Sequence, residues 1–343
     1  MVLSLANRRP SLRRSASQGS TAYGSGAADG PVFAPTEADV TLSVDGSWYW
    51  RPGQPIKTLA YLTSLHDASV GHNANLLLNF SPTYSGRLPT EAVAMYKLFG
   101  DWRRTCYGEG NKINDTATLR PASVGLPQIG VPLPVDTPLE LEVSVRIGSG
   151  GRVVIMEDQT RGQRIVNYTL EGRAAVSGRP SGLRPRFDGL TRPDTSRNER
   201  GSWVSIAAAQ SIGHKRIIVL PNDTKTFDAF RLTVREVAGP RADGASIRSF
   251  AAYGSAKCAV PSTPPRTPCS VEQDYAFTGG VSKSIYGSKD VAACCTACRQ
   301  VPGKACVAFS RSLSGVCKLF ESLGGGSIEA GTISGSPLWG YAN

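Results

Sequence analysis

The stretch SVGHNANLLLNFSPTYSG, residues 69–86, decides how the first third of the chain is read. Its centre, Asn75-Leu76-Leu77-Leu78-Asn79-Phe80, reads as a short strand, apolar without alternation and closed by a Ser-Pro turn. A strand apolar on both faces belongs in a parallel sheet covered by helices. The flanks fit that setting. Upstream, Glu37–Val44 has the alternation and β-branching of a strand and stops at Asp45-Gly46. Trp48-Tyr49-Trp50 and a Pro52-Gly53 loop follow. Pro55 then suits the first turn of a helix that carries Ile56, Leu59, Leu62 and Leu65 at helical spacing. Downstream, Pro89 opens a second helix with Ala92, Met95, Phe99 and Trp102 on one stripe. Its Arg103 and Arg104 fall at the C-terminal end, where the helix dipole favours cations. Strand, helix, strand, helix makes two β/α units, whereas a closed (β/α)8 barrel takes about 250 residues. The expectation is an incomplete barrel, with Leu76 to Phe80 on an open, aggregation-prone edge.

Beyond residue 109 the pattern changes. Leu139–Val145 alternates strictly, and further short strands are expected at 153–156, 164–170, 202–206, 216–220 and 230–234. Short strands punctuated by Gly and Pro argue for an antiparallel β-sandwich. The stretch Ser177–Arg200 has no periodicity and reads as a long mobile loop. AVPSTPPRTP, residues 259–268, reads as a semi-rigid linker.

The chain has 343 residues and a net charge of +11, which raises the question of nucleic acid. The arginines are scattered, at Arg8, Arg9, Arg13 and Arg14 and again through 179–200, without a basic helical face or interleaved aromatics. No nucleic-acid partner is therefore expected. No run approaches the roughly 18 apolar residues of a membrane span, so no membrane partner is expected either. Of eight cysteines, six fall between Cys269 and Cys317, with no histidine among them. That density predicts a disulfide scaffold made in an oxidising compartment: secreted, extracellular or lysosome- or vacuole-like. Zinc is the alternative for Cys295-x-x-Cys298, but a four-cysteine zinc site usually shows a second close pair and none is present, so no metal is expected. The first thirty residues are Arg- and Ser-rich, as transit peptides are, and lack the apolar core of a secretory signal. They are read as a disordered leader or the start of a truncated chain.

Two motifs add a resemblance. PTEADVTLSVDGSWYW (35–50) and SVGHNANLLLNFSPTYSGRLPTE (69–91) resemble stretches of plant-type α-L-fucosidases, in which Pro-x-Glu-x-Asp-Val-Ser-Ile leads to Gly-Trp-Phe and Ser-Val-Gly-Arg-Asn-x-Asn-Leu-Leu-Leu-Asn follows. MEDQTRGQRIVNYTLEG (156–172) and GSWVSIAAAQSIGHKRIIVL (201–220) are similar to the discoidin-like sandwich that follows the barrel in that family. FTGG (277–280), ACCTAC (293–298) and GKACVAFSRSLSGVCKL (303–319) stand in the order of a PAN/apple module. After the leader over 1–30, the resemblance implies the last two barrel units over 31–108 and a discoidin-like sandwich over 109–257. A linker over 258–268 and a small disulfide-rich α+β PAN/apple module over 269–343 complete it. The module's pattern implies Cys298 paired with Cys306, and Cys295 or Cys294 with Cys317; Cys269 completes the six.

Family members are retaining glycosidases that release terminal fucose without a cofactor. Two carboxyls, about 5–5.5 Å apart, serve as nucleophile and acid/base. By resemblance the acid/base falls on Glu37. The nucleophile lies on an earlier barrel strand that has no counterpart here. Asp39 shares a face with Glu37, but two carboxylates on one strand cannot flank a bond from opposite sides, so Asp39 is expected to bind a sugar hydroxyl or orient a partner. Trp48, Tyr49 and Trp50 are expected to form an apolar wall against the sugar. His72 replaces the family's arginine and either contacts substrate or caps a loop. Two functional classes follow: an α-L-fucosidase fragment inactive alone, or a non-catalytic protein that binds fucosylated glycans or glycoproteins. The apple module has an unassigned protein or carbohydrate ligand in either case.

Overall fold

A computed structural model describes residues 2–4, 36–113, 119–121, 132–175, 201–223, 225–239, 244–260 and 269–337. The expected loop at 177–200 and most of the linker lie outside the described residues. The architecture is mostly β, in several units, with three α-helices among the described residues and four disulfides.

The first unit is a three-stranded parallel sheet in the order β1 (Val2–Ser4), β2 (Thr36–Thr41), β3 (Ala74–Asn79). Helix α1 (Leu59–Ser69) connects β2 to β3, and α2 (Thr90–Tyr107) follows β3. Alternate residues separate the two faces of the sheet. Val40 and Leu78 bury against Leu62 and Leu65 of α1 and Met95, Phe99 and Trp102 of α2. On the other face Leu77 is 46% exposed, beside Asp39 in the register. NLLLNF is thus covered on one face only, and no described strand pairs with the far edge of β3.

A short added strand and the start of the first helix differ from the sequence pattern. Within the expected leader, Val2–Ser4 lies parallel to Glu37–Asp39, because the free N–H and C=O row along β2 accepts a short strand. The first helix starts at Leu59 and not at Pro55. Pro55 to Lys57 run extended beside β2's exit, with Val44 N–H on Pro55 O (3.0 Å) and Lys57 N–H on Leu42 O (2.8 Å). The Thr58 side chain then caps α1 by accepting from the Tyr61 N–H.

The second unit packs two antiparallel sheets. After β4 (Lys112–Ile113), β5 (Leu119–Pro121) and β6 (Pro132–Leu133) come β7 (Pro138–Ile147), β8 (Arg152–Glu157), β9 (Ile165–Ala174) and β10 (Trp203–Ala209). The unit continues with β11 (Arg216–Val219), β12 (Phe227–Val237) and β13 (Ala245–Tyr253). One sheet has the order β10-β9-β12-β7-β5; the other runs β11-β8-β13-β4, with β6 also on β13. Leu139, Leu141, Leu170, Phe230 and Leu232 of the first sheet face Val153, Ile155, Ile218 and Phe250 of the second. Periodicity did not reveal β13: a bulge between Ile247 and Ser249 breaks its alternation, and Phe250 to Tyr253 are buried throughout. Inside this unit Glu157 is buried and accepts the N–H groups of Arg164 (2.6 Å), Ile165 (2.9 Å) and Gly213 (3.2 Å). It ties the start of β9 to the turn before β11.

The third unit is a sheet of order β14-β16-β15, formed by β14 (Cys269–Ile285), β15 (Ala308–Arg311) and β16 (Cys317–Pro337), with α3 (Val291–Arg299) against it. Asp290 caps α3 by accepting from the Ala293 N–H (2.8 Å). The disulfides are Cys269–Cys295, Cys294–Cys317 and Cys298–Cys306. Its buried apolar set is small, centred on Phe309, Leu319 and Phe320, so covalent staples replace part of a core.

The first two units are fastened together. Asp67 of α1 accepts from Arg152 of β8 (Nη2, 3.2 Å) and from the Tyr107 hydroxyl, and His66 Nδ1 lies 3.1 Å away. Gly71 sits so close to β11 that an added Cβ would stand 2.6 Å from that of Ile217. Cys106, at the end of α2, bonds to Cys258 in the turn after β13, at a sequence separation of 152.

Two predictions follow from these ties. Cys106→Ala/Cys258→Ala is expected to lose about 5 kcal/mol, the chain-entropy value for so long a loop, measured by denaturant unfolding. Burial lifts the Glu157 carboxyl from 4.5 to about 7 against its three N–H donors. The folded state therefore holds that proton after the unfolded chain has lost it, so stability falls as pH rises from 4.5 to 7 and then levels. The fall is on the order of 3 kcal/mol, and Glu157→Gln should flatten it in a pH series of urea melts.

Candidate functional site

In a parallel β/α arrangement the loops at the C-terminal ends of the strands carry the site. At that end of β2 and β3 lies a small, open depression. Thr41, Tyr49, Trp50, Phe80, Ser81 and Glu91 are among its lining residues.

The loop from 42 to 57 is organised around two charges. The Asp45 carboxylate accepts from the Ser43 hydroxyl, the Ser47 N–H (3.0 Å), the Arg51 guanidinium and Gln54 Nε2 (3.3 Å). Burial pushes this carboxyl up, but the Ser43 and Ser47 hydrogen bonds and Arg51 outweigh it and hold it below the usual value. Beneath the depression Lys57 is buried and donates to the Thr41 carbonyl (2.6 Å) and the Ser43 carbonyl. Burial lowers its pKa, with Asp45 acting in the opposite direction. Lys57 therefore gathers two carbonyls at the exit of β2.

The expected site residues are spread unevenly. Trp50 lines the depression and meets Tyr84 edge-on at 5.2 Å between ring centroids. Trp48 is 38% exposed, and its carbonyl accepts from Asn79 Nδ2 (3.4 Å) and the Ser81 hydroxyl, joining the two strand-exit loops. Glu37 is the second residue of β2, four residues before Thr41, which at strand rise is roughly 13 Å from the mouth. Asp39 lies between them, with Oδ1 buried and without a hydrogen-bond partner among the described residues. Neither carboxylate lines the depression. His72 is at the opposite end of β3, where Nδ1 is 3.1 Å from the Asp67 carbonyl and burial, then Arg216, lower its pKa to about 4. It is neutral at pH 7 and bridges to Arg216 at the junction with the sandwich. Cys295 and Cys298 are each in a disulfide, and no group of three metal-ligating side chains is found among the described residues.

Sequence reasoning missed Glu91. The residue is 4% exposed and lines the depression, with the Thr90 hydroxyl donating to its Oε2 (3.3 Å). An acid in a first helical turn is ordinarily explained by the dipole alone. Burial was the missing signal. Lys57 was missed likewise, since a lysine before a helix ordinarily reads as solvated.

No protein-family model matches the chain. Among curated proteins it is 31% identical over 97 residues to a rice (Oryza sativa subsp. japonica) chain named for α-L-fucosidase 1, covering 28% of this chain and 18% of that one. It is 21% identical over 206 residues to α-L-fucosidase 1 of Arabidopsis thaliana, covering 55% of this chain and 35% of that one. A solved Ruminococcus gnavus GH29 fucosidase in complex with fucose matches with a TM-score of 0.50 at 20% identity, a likeness of fold. That match covers 70% of this chain and 45% of the bacterial one. The similarity is to glycosidases. Within them it is to the α-L-fucosidases, and the chain spans well under half the length of these curated relatives.

The loop around Asp45 supplies a test. Because its folded pKa is depressed, its contribution to loop order is present above the ordinary value of 3.8 and is lost as pH falls below it. Asp45→Ala should reproduce at neutral pH the red-shifted tryptophan emission that the native chain shows only at acid pH.

Proposed function

We propose that this chain is built on the C-terminal part of an α-L-fucosidase and that its pocket holds a terminal fucose without turning it over unaided. The supporting observation is the parallel pairing of β2 with β3, which puts the depression and Trp50 over their C-terminal ends. Trp50 offers a ring for the sugar's C–H face, and Glu91 and Ser81 offer polar atoms for its hydroxyls. On this reading residues 31–108 are the last two units of the barrel, 109–257 a discoidin-like sandwich, 258–268 a linker and 269–343 a PAN/apple module.

Glu37 is assigned as the acid/base by resemblance, with Asp39 as a group that orients a partner or a hydroxyl. Both belong to the sheet face that a closed barrel would enclose, the face on which Leu77 is exposed. Retaining chemistry needs a second carboxylate across the scissile bond, and β2 alone does not provide that geometry. Binding without turnover is therefore the expected behaviour of this polypeptide. The substrate class is fucosylated glycans or glycoproteins. Four disulfides mark an oxidising compartment, and no described helix is long and apolar enough to cross a membrane. Secretion or delivery to a vacuole-like compartment completes the proposal.

The test is a titration with L-fucose, followed by tryptophan fluorescence and calorimetry, beside an assay on an aryl α-L-fucoside. Fucose should bind, Trp50→Ala should weaken binding at least about tenfold (roughly 1.4 kcal/mol), and hydrolysis should be undetectable. Absence of fucose binding would overturn the reading. Turnover that survives Asp39→Ala and disappears in Glu37→Gln would show a complete catalytic site and sink the unaided-inactivity part.

A further inference from the structure

The cysteine-rich unit is not an independent appendage. Its strands β14 and β16 meet both loops that leave the parallel strands at the pocket end. Glu272 of β14 accepts the Ser85 N–H (2.6 Å), and Asp274 pairs with Arg87 (3.0 Å). Ser336 of β16 accepts the Gly53 N–H (2.6 Å), where Gly53 has φ +69° and its missing Cβ would stand 3.4 Å from the Pro337 carbonyl. A row of rings crosses the junction: Trp50 to Tyr84 at 5.2 Å, Tyr84 to Tyr275 at 6.1 Å and Tyr275 to Phe277 at 5.6 Å. Trp50 therefore lines the pocket while packing on the buried cluster of Tyr275, Phe277 and Phe320.

The backbone of β14 is bent at this contact. Its register with β16 shifts between Gln273 and Tyr275, and Asp274 between them has φ +54°. Bulges re-aim side chains, and a non-glycine residue in the left-handed region persists only where its surroundings hold it. Asp274 is so held, accepting the Gly331 N–H (2.9 Å) on one oxygen and Arg87 on the other. Glu272 is 4% exposed, and its Oε2 has no hydrogen-bond partner among the described residues. A buried carboxylate left half-paired costs stability. Its placement serves the Ser85 contact over the unit's own packing.

We infer that the cysteine-rich unit positions the candidate sugar pocket: Glu272, Asp274 and Ser336 pin the two strand-exit loops, and Tyr275 props the Tyr84–Trp50 pair. Among the described residues three strands of sheet lie beneath these loops, and the contacts from β14 and β16 buttress them. Tyr84 is 55% exposed beside Trp50, so a pinned loop also extends the aromatic surface beyond the pocket. The part played by fucose rests on the function proposed above; the pinning does not.

The test uses the full chain and three variants, Glu272→Ala/Asp274→Ala, Arg87→Ala and Tyr275→Phe. Hydrogen exchange of the amides in 83–88 should rise about tenfold or more in the double variant, given two lost charge-assisted hydrogen bonds. L-fucose affinity should fall about tenfold with it (roughly 1.4 kcal/mol). Arg87→Ala acts from the exposed loop side and leaves the disulfide-bonded unit intact, and should give a smaller change of the same sign. Tyr275→Phe keeps the ring and should behave as the native chain. Unchanged exchange at 83–88 in both Ala variants overturns the inference, as does faster exchange with fucose affinity unaltered. If the native chain binds no fucose, the functional reading falls and exchange alone decides the pinning.

Discussion

The Asp67 carboxylate is the contact on which the relation of the first two units depends. It is buried at the end of α1 and gathers Arg152 from β8, Tyr107 from the end of α2 and His66 from its own helix. Burial first, and then Asp67, pushes the Tyr107 hydroxyl far above its ordinary pKa, so it remains a donor. Replacing such a cluster with apolar groups can be neutral, but removing one partner leaves a buried charge unanswered. The cluster therefore specifies one docking geometry more than it adds stability. Around it the Arg152 guanidinium lies 5.8 Å from the Trp102 ring, and the Trp102 indole N–H donates to the Cys258 carbonyl (3.0 Å). The polar contact and the Cys106–Cys258 bond thus fix the same corner.

That corner determines which end of the parallel strands is available. The sandwich covers the N-terminal side of β3 through Gly71, His72 and Asn73, with Asn73 Nδ2 on the Ile212 carbonyl (3.0 Å) and Lys215 N–H on Asn73 Oδ1 (2.8 Å). The opposite end stays open, and there the cysteine-rich strands approach the exit loops. The chain passes twice across a short αβ layer, once at each end. The depression lies at the end that the cysteine-rich strands approach.

The legible part of the fold was local. Two β/α units followed from the spacing of Leu59, Leu62 and Leu65 and of Met95, Phe99 and Trp102, and β7 from strict alternation. Apolar patterning is a one-dimensional signal, and these elements bury one face each. β13 was illegible because a bulge shifts its phase and its small residues are buried on both sides. The start of α1 was misplaced because Pro55 suits a helix's first turn, yet the pull of β2's carbonyls kept 55–57 extended. At the site, the aromatics of WYW could be singled out as ring-bearing residues, but their separation from Glu37 along β2 could not. Glu91 and Lys57 carried no sequence signal, since burial alone distinguishes them from ordinary surface charges.

By itself the sequence determined that the chain has a parallel αβ segment, an alternating β region and a cysteine-dense tail, and which relatives it is similar to. These properties reside in residue identity and spacing. Tertiary structure alone decided that Cys106 meets Cys258, that His72 belongs to a junction, and that Glu272 and Asp274 reach the loops beside Trp50. Each of those contacts joins residues far apart in the chain, and their meeting depends on how whole layers pack.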